Sequence, residues 1–233
     1  ENPGESNFNP LTIYGGVGLG KTHLMHAIGN HAVLKNPNLN AVVVTSERFT
    51  LDFVNSLRKN KTIEFAQQYR SADMLLIDDI QFFRGKEQTQ EQFFHTFNVL
   101  HQSGKQIVMT ADKYPGEMKG LQARLLSRFQ SGLSVDVQPP NFEVRVAILL
   151  EKADQNGVAL DYEFIEFIAK HIKNNVRDLE GAVIRVLAKS SLLNREIDRS
   201  LVRDVVRERI GGSLKADMTI EEIVKKVSEI SSV

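Results

Sequence analysis

Five short apolar runs alternate along this chain with longer stretches whose apolar positions recur at helical spacing. Leu11-Thr12-Ile13-Tyr14, Ala41-Val42-Val43-Val44-Thr45, Met74-Leu75-Leu76-Ile77, Gln106-Ile107-Val108-Met109-Thr110 and Leu133-Ser134-Val135-Asp136-Val137 read as strands. Strands that alternate with helices predict an α/β fold, a parallel sheet with helices on both faces. Asn9-Pro10 breaks the chain before the first strand, and Leu24, Met25, Ala27 and Ile28 give the segment after it an apolar helical face. The second connection holds two helical stretches, Glu47 to Arg58 and Thr62 to Tyr69, one helix more than a minimal crossover needs.

Pro139-Pro140 ends the strand-bearing part, because paired prolines neither continue a central strand nor enter a helix interior. Beyond it the pattern is helical: Glu143 to Gln155, Tyr162 to His171, Arg177 to Leu192 and Arg199 to Arg209, enough for a small bundle. Gly211-Gly212-Ser213 marks a break, and Thr219-Ile220-Glu221-Glu222 opens a last helix with a capping-box pattern. The expected organisation is an α/β core over 1–140, a helical lid over 141–211, and a linker with one further helix over 212–233. The chain starts at Glu1 without an initiator Met and stops just after a helical pattern, which predicts a fragment of a longer protein.

Between the first strand and the first helix lies Gly15-Gly16-Val17-Gly18-Leu19-Gly20-Lys21-Thr22, with the G-x-x-x-x-G-K-[ST] spacing of a phosphate-binding loop. Glycines let such a loop curl so that several backbone N–H groups meet one anion. The helix beginning there adds its positive dipole end. In this frame Lys21 reaches the β- and γ-phosphates and the Thr22 hydroxyl ligates Mg²⁺. A nucleoside triphosphate is the expected ligand.

Composition narrows the setting. At 233 residues and 42% hydrophobic content the chain buries a substantial core, and its 29 basic and 29 acidic residues cancel. Global steering towards nucleic acid is therefore not indicated, although a local basic patch fits inside a neutral total. With no cysteine, disulfides and cysteine-ligated metal sites are excluded. No apolar stretch approaches the ~20 residues that span a bilayer. A cytoplasmic protein with no membrane-spanning segment is expected. The six histidines show no metal-ligand spacing next to carboxylates and read as helix residues.

Leu75-Leu76-Ile77-Asp78-Asp79 sets two carboxylates at the end of a buried strand, where an open parallel sheet forms its ligand crevice. Asp78 is expected to hold Mg²⁺ together with Thr22, and Asp79 to orient or deprotonate an attacking water. Aspartate is one methylene shorter than glutamate at the second position. The shorter reach predicts slow hydrolysis, a switch rather than a fast motor.

The order of phosphate loop, intervening strand, acidic strand and polar-tipped strand resembles a P-loop ATPase of the AAA+ class, with the helical annex as its lid. The resemblance sharpens at Tyr14-Gly15-Gly16-Val17-Gly18-Leu19-Gly20-Lys21-Thr22-His23-Leu24-Met25-His26-Ala27-Ile28-Gly29-Asn30, Ser46-Glu47-Arg48-Phe49, Ile77-Asp78-Asp79-Ile80-Gln81-Phe82-Phe83, Leu125-Leu126-Ser127-Arg128-Phe129 and Asn175-Val176-Arg177-Asp178-Leu179-Glu180-Gly181-Ala182. Together these segments, spread from Asn9 to about Arg209, resemble the DnaA family of bacterial replication initiators. The resemblance implies a three-layer core with a five-stranded parallel sheet, and ATP or ADP with Mg²⁺ as ligands. His23 joins Gly15 to Thr22 in the nucleotide site by the same likeness.

It also implies roles at a distance from the loop. Asp112, at the tip of the fourth strand, matches the sensor of the γ-phosphate, with a plain turn residue as the competing reading. Arg128 matches the arginine finger that reaches ATP on a neighbouring subunit, and Arg177 the second sensor, on the lid. Arg124 sits one helical turn before Arg128, but Gln122-Ala123 replace the acidic residues common there. Val54 and Lys86 match positions that grip single-stranded DNA, although Val54 also suits an ordinary core position.

The implied function is ATP-dependent head-to-tail self-assembly into an oligomer or filament on origin DNA, with duplex opening and a reset by slow hydrolysis. Double-stranded DNA would be read by a missing C-terminal domain, and replication proteins bound through missing regions. The alternatives are a regulatory or helicase-loader AAA+ ATPase of the same build, a translocating AAA+ motor, and a nucleotide-gated scaffold that never hydrolyses.

Overall fold

A computed structural model describes residues 8–209. The break expected at Gly211, the helix expected from Thr219 and the segment 212–233 lie outside the described residues.

Five strands, β1 (Leu11–Gly15), β2 (Ala41–Thr45), β3 (Met74–Asp78), β4 (Gln106–Ala111) and β5 (Leu133–Val137), form one parallel sheet in the order β2-β3-β4-β1-β5. Every residue of β3 and β4 is buried, which is why both read as near-continuous apolar runs. By contrast β5 is an edge strand with Leu133 and Val135 exposed. Its order in the sheet, not its composition, makes it so.

The connections supply α1 (Lys21–Lys35), α2 (Ser46–Arg58), α3 (Thr62–Arg70), α4 (Glu87–Gln102) and α5 (Ala123–Gln130), with 3-10 turns at Ile80–Phe83 and Pro115–Glu117. One face of the sheet carries Leu75, Ile77, Ile107 and Met109 against an aromatic cluster from α2, α3, α4 and α5. Phe49 sits at its centre, with ring centroids of Phe65, Tyr69, Phe83 and Phe93 4.8–5.8 Å away. Burial of each such ring contributes about 1.5–3 kcal/mol. Tyr69 also donates to Asp52 at 2.8 Å, and burial together with that carboxylate pushes its phenol well above the usual range.

The opposite face, with Ile13, Met74, Leu76 and Val108, is packed by Met25 of α1. Gly29 makes the approach close, since a Cβ there would stand 3.0 Å from Leu76. Coverage is thinner than the sequence pattern predicts. Leu24 is 44% exposed and Ala27 is exposed too, and both border an apolar cavity of about 670 Å³ between α1 and strands β1 and β5.

The sheet is pinned ahead of β1 by Asn9, which is buried: its Nδ2 donates to Lys105 O at 2.8 Å and its Oδ1 accepts from Ile107 N–H at 2.9 Å. The Asn9-Pro10 bond is cis. Helix α2 begins one residue earlier than its apolar spacing predicts, because the Thr45 side chain accepts from Arg48 N–H at 3.1 Å and caps it.

The chain divides into two compact units, the first ending at Pro139 and the second beginning at Pro140. In the second unit α6 (Phe142–Gln155), α7 (Tyr162–His171), α8 (Val176–Leu193) and α9 (Arg199–Arg209) enclose a core of Leu149, Ile165, Ile168, Val183, Val186 and Val205. Asn141 caps α6 and Asn175 caps α8, each accepting from an N–H three residues on. Arg145 is buried here, donating from Nε to Ala169 O at 2.8 Å and from the guanidinium to Pro140 O at 2.7 Å. No helix among the described residues is long and apolar enough to cross a membrane.

Candidate functional site

The glycine loop begins inside the sheet. Gly15 is the last residue of β1, and a Cβ there would lie 2.4 Å from the Val137 carbonyl oxygen of β5. Gly18 and Gly20 adopt φ of 77° and 89°, left-handed values that glycine takes without strain. Gly20 is also the N-cap of α1, so no side chain covers the first N–H groups of the helix. Val17 is exposed at the tip, Leu19 buried beneath it, and His23 exposed on the first turn of α1. Lys21 is buried and donates from Nζ to Gly16 O at 2.7 Å, so its ammonium closes the loop from within.

Beyond the loop, strands β3 and β4 and the first turn of α1 converge on one carboxylate. Asp78, 7% exposed at the end of β3, accepts from the Thr22 hydroxyl, 2.8 Å from Oδ2 and 3.1 Å from Oδ1. The fully buried Thr110 of β4 also donates to Asp78 Oδ1, and its hydroxyl oxygen accepts from Asp79 N–H at 2.9 Å. Thr22 and Asp78, 56 residues apart, thus present a hydroxyl and a carboxylate side by side. Hard oxygen donors few in number are what a phosphate-bound Mg²⁺ uses, and the pair fits that ion. Among the described residues no group of three or more His, Asp or Glu side chains is arranged to hold a metal.

Asp79 leaves the strand in a left-handed conformation, φ 57° and ψ 54°, uncommon for a residue with a side chain. Four hydrogen bonds hold it: the Thr110 bond, a Ser46 hydroxyl donating to Asp79 O at 2.6 Å, Phe82 N–H donating to the same oxygen at 3.1 Å, and Gln81 Nε2 donating to Asp79 Oδ1 at 2.8 Å. Gln81 Oε1 in turn accepts from Asp112 N–H at 3.3 Å. Asp112 follows β4, and its Oδ1 is buried with no hydrogen-bond partner among the described residues. An open cleft of about 550 Å³ takes in Gly15, Gly16, Asp112, Tyr114 and Asp136. Tyr14 lines it too, its phenol raised by burial and then by Asp136, Tyr114 and Glu117.

The two arginines of α5 differ in their company. Arg124 donates to Gln122 Oε1 at 2.8 Å, lies 3.8 Å from Glu91 and stacks over Phe94 at 4.7 Å. Arg128 is half-buried as a residue, and its guanidinium makes no hydrogen bond or ion pair among the described residues. Arg177 belongs to the second unit, exposed on the first turn of α8 and likewise without a partner among the described residues. Its neighbour Asp178 is bound by Asn175 and Arg209.

Val54 is half-buried on α2, neither core nor fully exposed. Leu51, three residues before it, is 51% exposed, and Arg58 extends the same strip one turn further. Lys86 is half-buried at the N-cap of α4, on a separate element. The structure therefore gathers Gly15 to Thr22, Asp78, Asp79 and Asp112 into one connected site. The residues that sequence reasoning misses there are Thr110, Ser46 and Gln81. A threonine in an apolar central strand is a faint signal for the first, whereas the other two stand inside segments that carry the family resemblance but have no pattern that marks their partners.

Residues 1–136 match the family model described as the bacterial DnaA ATPase domain. Among solved structures, domain III of the replication initiation protein DnaA from Thermotoga maritima is 42% identical, with a TM-score of 0.85 over 90% of this chain and 87% of that one. A replication initiator DnaA bound to AMPPCP and single-stranded DNA is 37% identical, TM-score 0.75, over 90% of this chain and 62% of that one. The AMPPCP-bound DnaA of Aquifex aeolicus is 39% identical, TM-score 0.73, over 81% and 58%. The chain thus spans less than two thirds of the latter two.

Proposed function

Because this chain belongs to the bacterial DnaA ATPase-domain family, we propose that it is the nucleotide switch of a replication initiator: ATP promotes head-to-tail assembly on origin DNA, and slow hydrolysis reverses it. The observation that carries this reading is the meeting of Thr22 and Asp78 at the mouth of a glycine loop whose lysine is already folded inward. Lys21 turns from Gly16 O to the β- and γ-phosphates, and the free N–H groups of the loop and of α1 bind the same oxygens. Thr22 and Asp78 would hold Mg²⁺, which would neutralise charge on the phosphates.

In hydrolysis a water adds to the γ-phosphorus as the bond to the β-phosphate oxygen breaks, and Asp79 takes the water's proton. Asp112 senses the γ-phosphate, with a buried acceptor that has no partner of its own among the described residues. Arg128 serves a neighbouring subunit's ATP, which fits a guanidinium that its own chain leaves unengaged, whereas Arg124 is tied to Gln122, Glu91 and Phe94. Arg177 reports from the lid. His23 lines the nucleotide site on the first turn of α1.

Single-stranded DNA, the ligand of one related DnaA, is the second partner, contacted by Val54 and Lys86. A half-buried apolar side chain beside exposed Leu51 and Arg58 suits contacts that follow a strand without reading its sequence.

Sedimentation tests the switch. The chain with ATP is expected to sediment as larger species than with ADP or without nucleotide, and Arg128→Ala to abolish the difference while ATP still binds. If ATP promotes no self-association, or Arg128→Ala assembles as well as the parent, the interface reading is wrong. Rapid DNA-stimulated turnover would instead identify a motor.

A further inference from the structure

Hydrolysis as assigned to Asp79 leaves Gln81 without a role, yet both ends of its carboxamide are engaged at the site. Nε2 donates to Asp79 Oδ1 at 2.8 Å, and Oε1 accepts from Asp112 N–H at 3.3 Å. The partners themselves fix which way the amide points: a carboxylate only accepts and a backbone N–H only donates. Gln81 therefore bridges the second carboxylate to the tip of β4.

The bridge matters because of how Asp79 is held. Its backbone occupies a left-handed conformation, which persists only where the surroundings over-determine it. Thr110 grips its N–H and Ser46 its carbonyl, at 2.9 and 2.6 Å, so the peptides on either side are fixed. What remains free is the rotation of a short side chain. Gln81 is the group that stops that rotation, taking one carboxylate oxygen and leaving the other for a water. Its far end rests on Asp112, the residue assigned to the γ-phosphate, so a shift at the tip of β4 is handed to Asp79 through one side chain.

We propose that Gln81 is a positioning residue for ATP hydrolysis, holding the Asp79 carboxylate in register with the tip of β4. This rests on the reading of Asp79 as the group that accepts the water's proton.

The test is kcat and KM for ATP hydrolysis by the parent chain, Gln81→Ala, Gln81→Glu, Asp79→Asn and the Gln81→Ala/Asp79→Asn pair. Gln81→Ala is expected to lower kcat about ten-fold with KM within about two-fold, the pattern of a misplaced reacting group rather than lost binding. Gln81→Glu still accepts from Asp112 N–H but has no donor for Asp79, and should lose as much. The double variant should match Asp79→Asn alone, since Gln81 acts only through Asp79. Wild-type kcat in Gln81→Ala, with a loss in Asp79→Asn, overturns the proposal alone. Additive losses in the double variant overturn it too. Unchanged kcat in Asp79→Asn overturns the base assignment and the proposal with it. Unchanged urea midpoints separate misplacement from unfolding.

Discussion

Thr110→Val removes one hydroxyl from the centre of the sheet at nearly constant volume. That hydroxyl donates to Asp78 Oδ1 and accepts from Asp79 N–H, and Thr110 is fully buried, so no water replaces it. A hydrogen bond to a charged group contributes about 1.5–3 kcal/mol and one between neutral groups about 0.5–1.5 kcal/mol, which sums to a loss of about 2–4.5 kcal/mol. Thr110→Ser is the control: it keeps the hydroxyl, loses a methyl group, and should cost about 1 kcal/mol. Urea unfolding followed by tyrosine fluorescence suits the measurement, because the chain has no tryptophan and three of its four tyrosines, Tyr14, Tyr69 and Tyr114, lie in the first unit. Amide exchange at Asp79 gives the local readout, and should quicken in the valine variant only. A serine variant as unstable as the valine variant, or an Asp79 amide equally protected in both, would refute the reasoning.

The two glycine constraints should separate. Gly15→Ala drives a Cβ to 2.4 Å from a backbone oxygen of β5 and should displace that edge of the sheet, whereas Gly20→Ala meets open space and bears only the strain of φ 89°, about 1–2 kcal/mol. Thermal unfolding of the two orders them, and a larger loss at Gly20 would contradict the geometry. At acid pH, the Lys105 ammonium 2.5 Å from Oδ1 and the Asn40 N–H 3.0 Å from Oδ2 hold the Asp73 carboxyl below its ordinary value of 3.8. A folded value below the unfolded one means that this stabilisation is present above the unfolded value and is lost as pH falls through the folded one. The difference in urea midpoint between the parent and Asp73→Asn should therefore be open near neutral pH and close as acid protonates the carboxyl, and a difference that persists at about pH 2 would disprove it.

Much of the fold was legible because its signals are local. Each strand is a run of apolar or β-branched residues bounded by breakers, so all five fall within a residue or so of where they are observed. The same holds for the helices whose caps lie nearby, such as Asn141 and Asn175. The loop from Gly15 to Thr22 was legible too, since its glycines answer to the backbone alone. Less of the site was. Ser46, Gln81 and Thr110 meet Asp78, Asp79 or Asp112 across 31 to 33 residues of sequence, apart from the short Gln81 to Asp79 step. Periodicity carries no record of such partners.

By itself, then, the sequence determined what depends on neighbours along the chain: the alternation of strands and helices, the tight glycine loop between β1 and α1, the acidic strand end and the halt at Pro139-Pro140. Tertiary structure alone decided the rest. It made β4 central and β5 an edge, left Leu24 and Ala27 beside a cavity although their spacing marks a buried face, and freed Arg128 while binding Arg124. Burial and pairing are properties of what folds back against a residue, and a one-dimensional pattern records only which residues are able to accept such a neighbour.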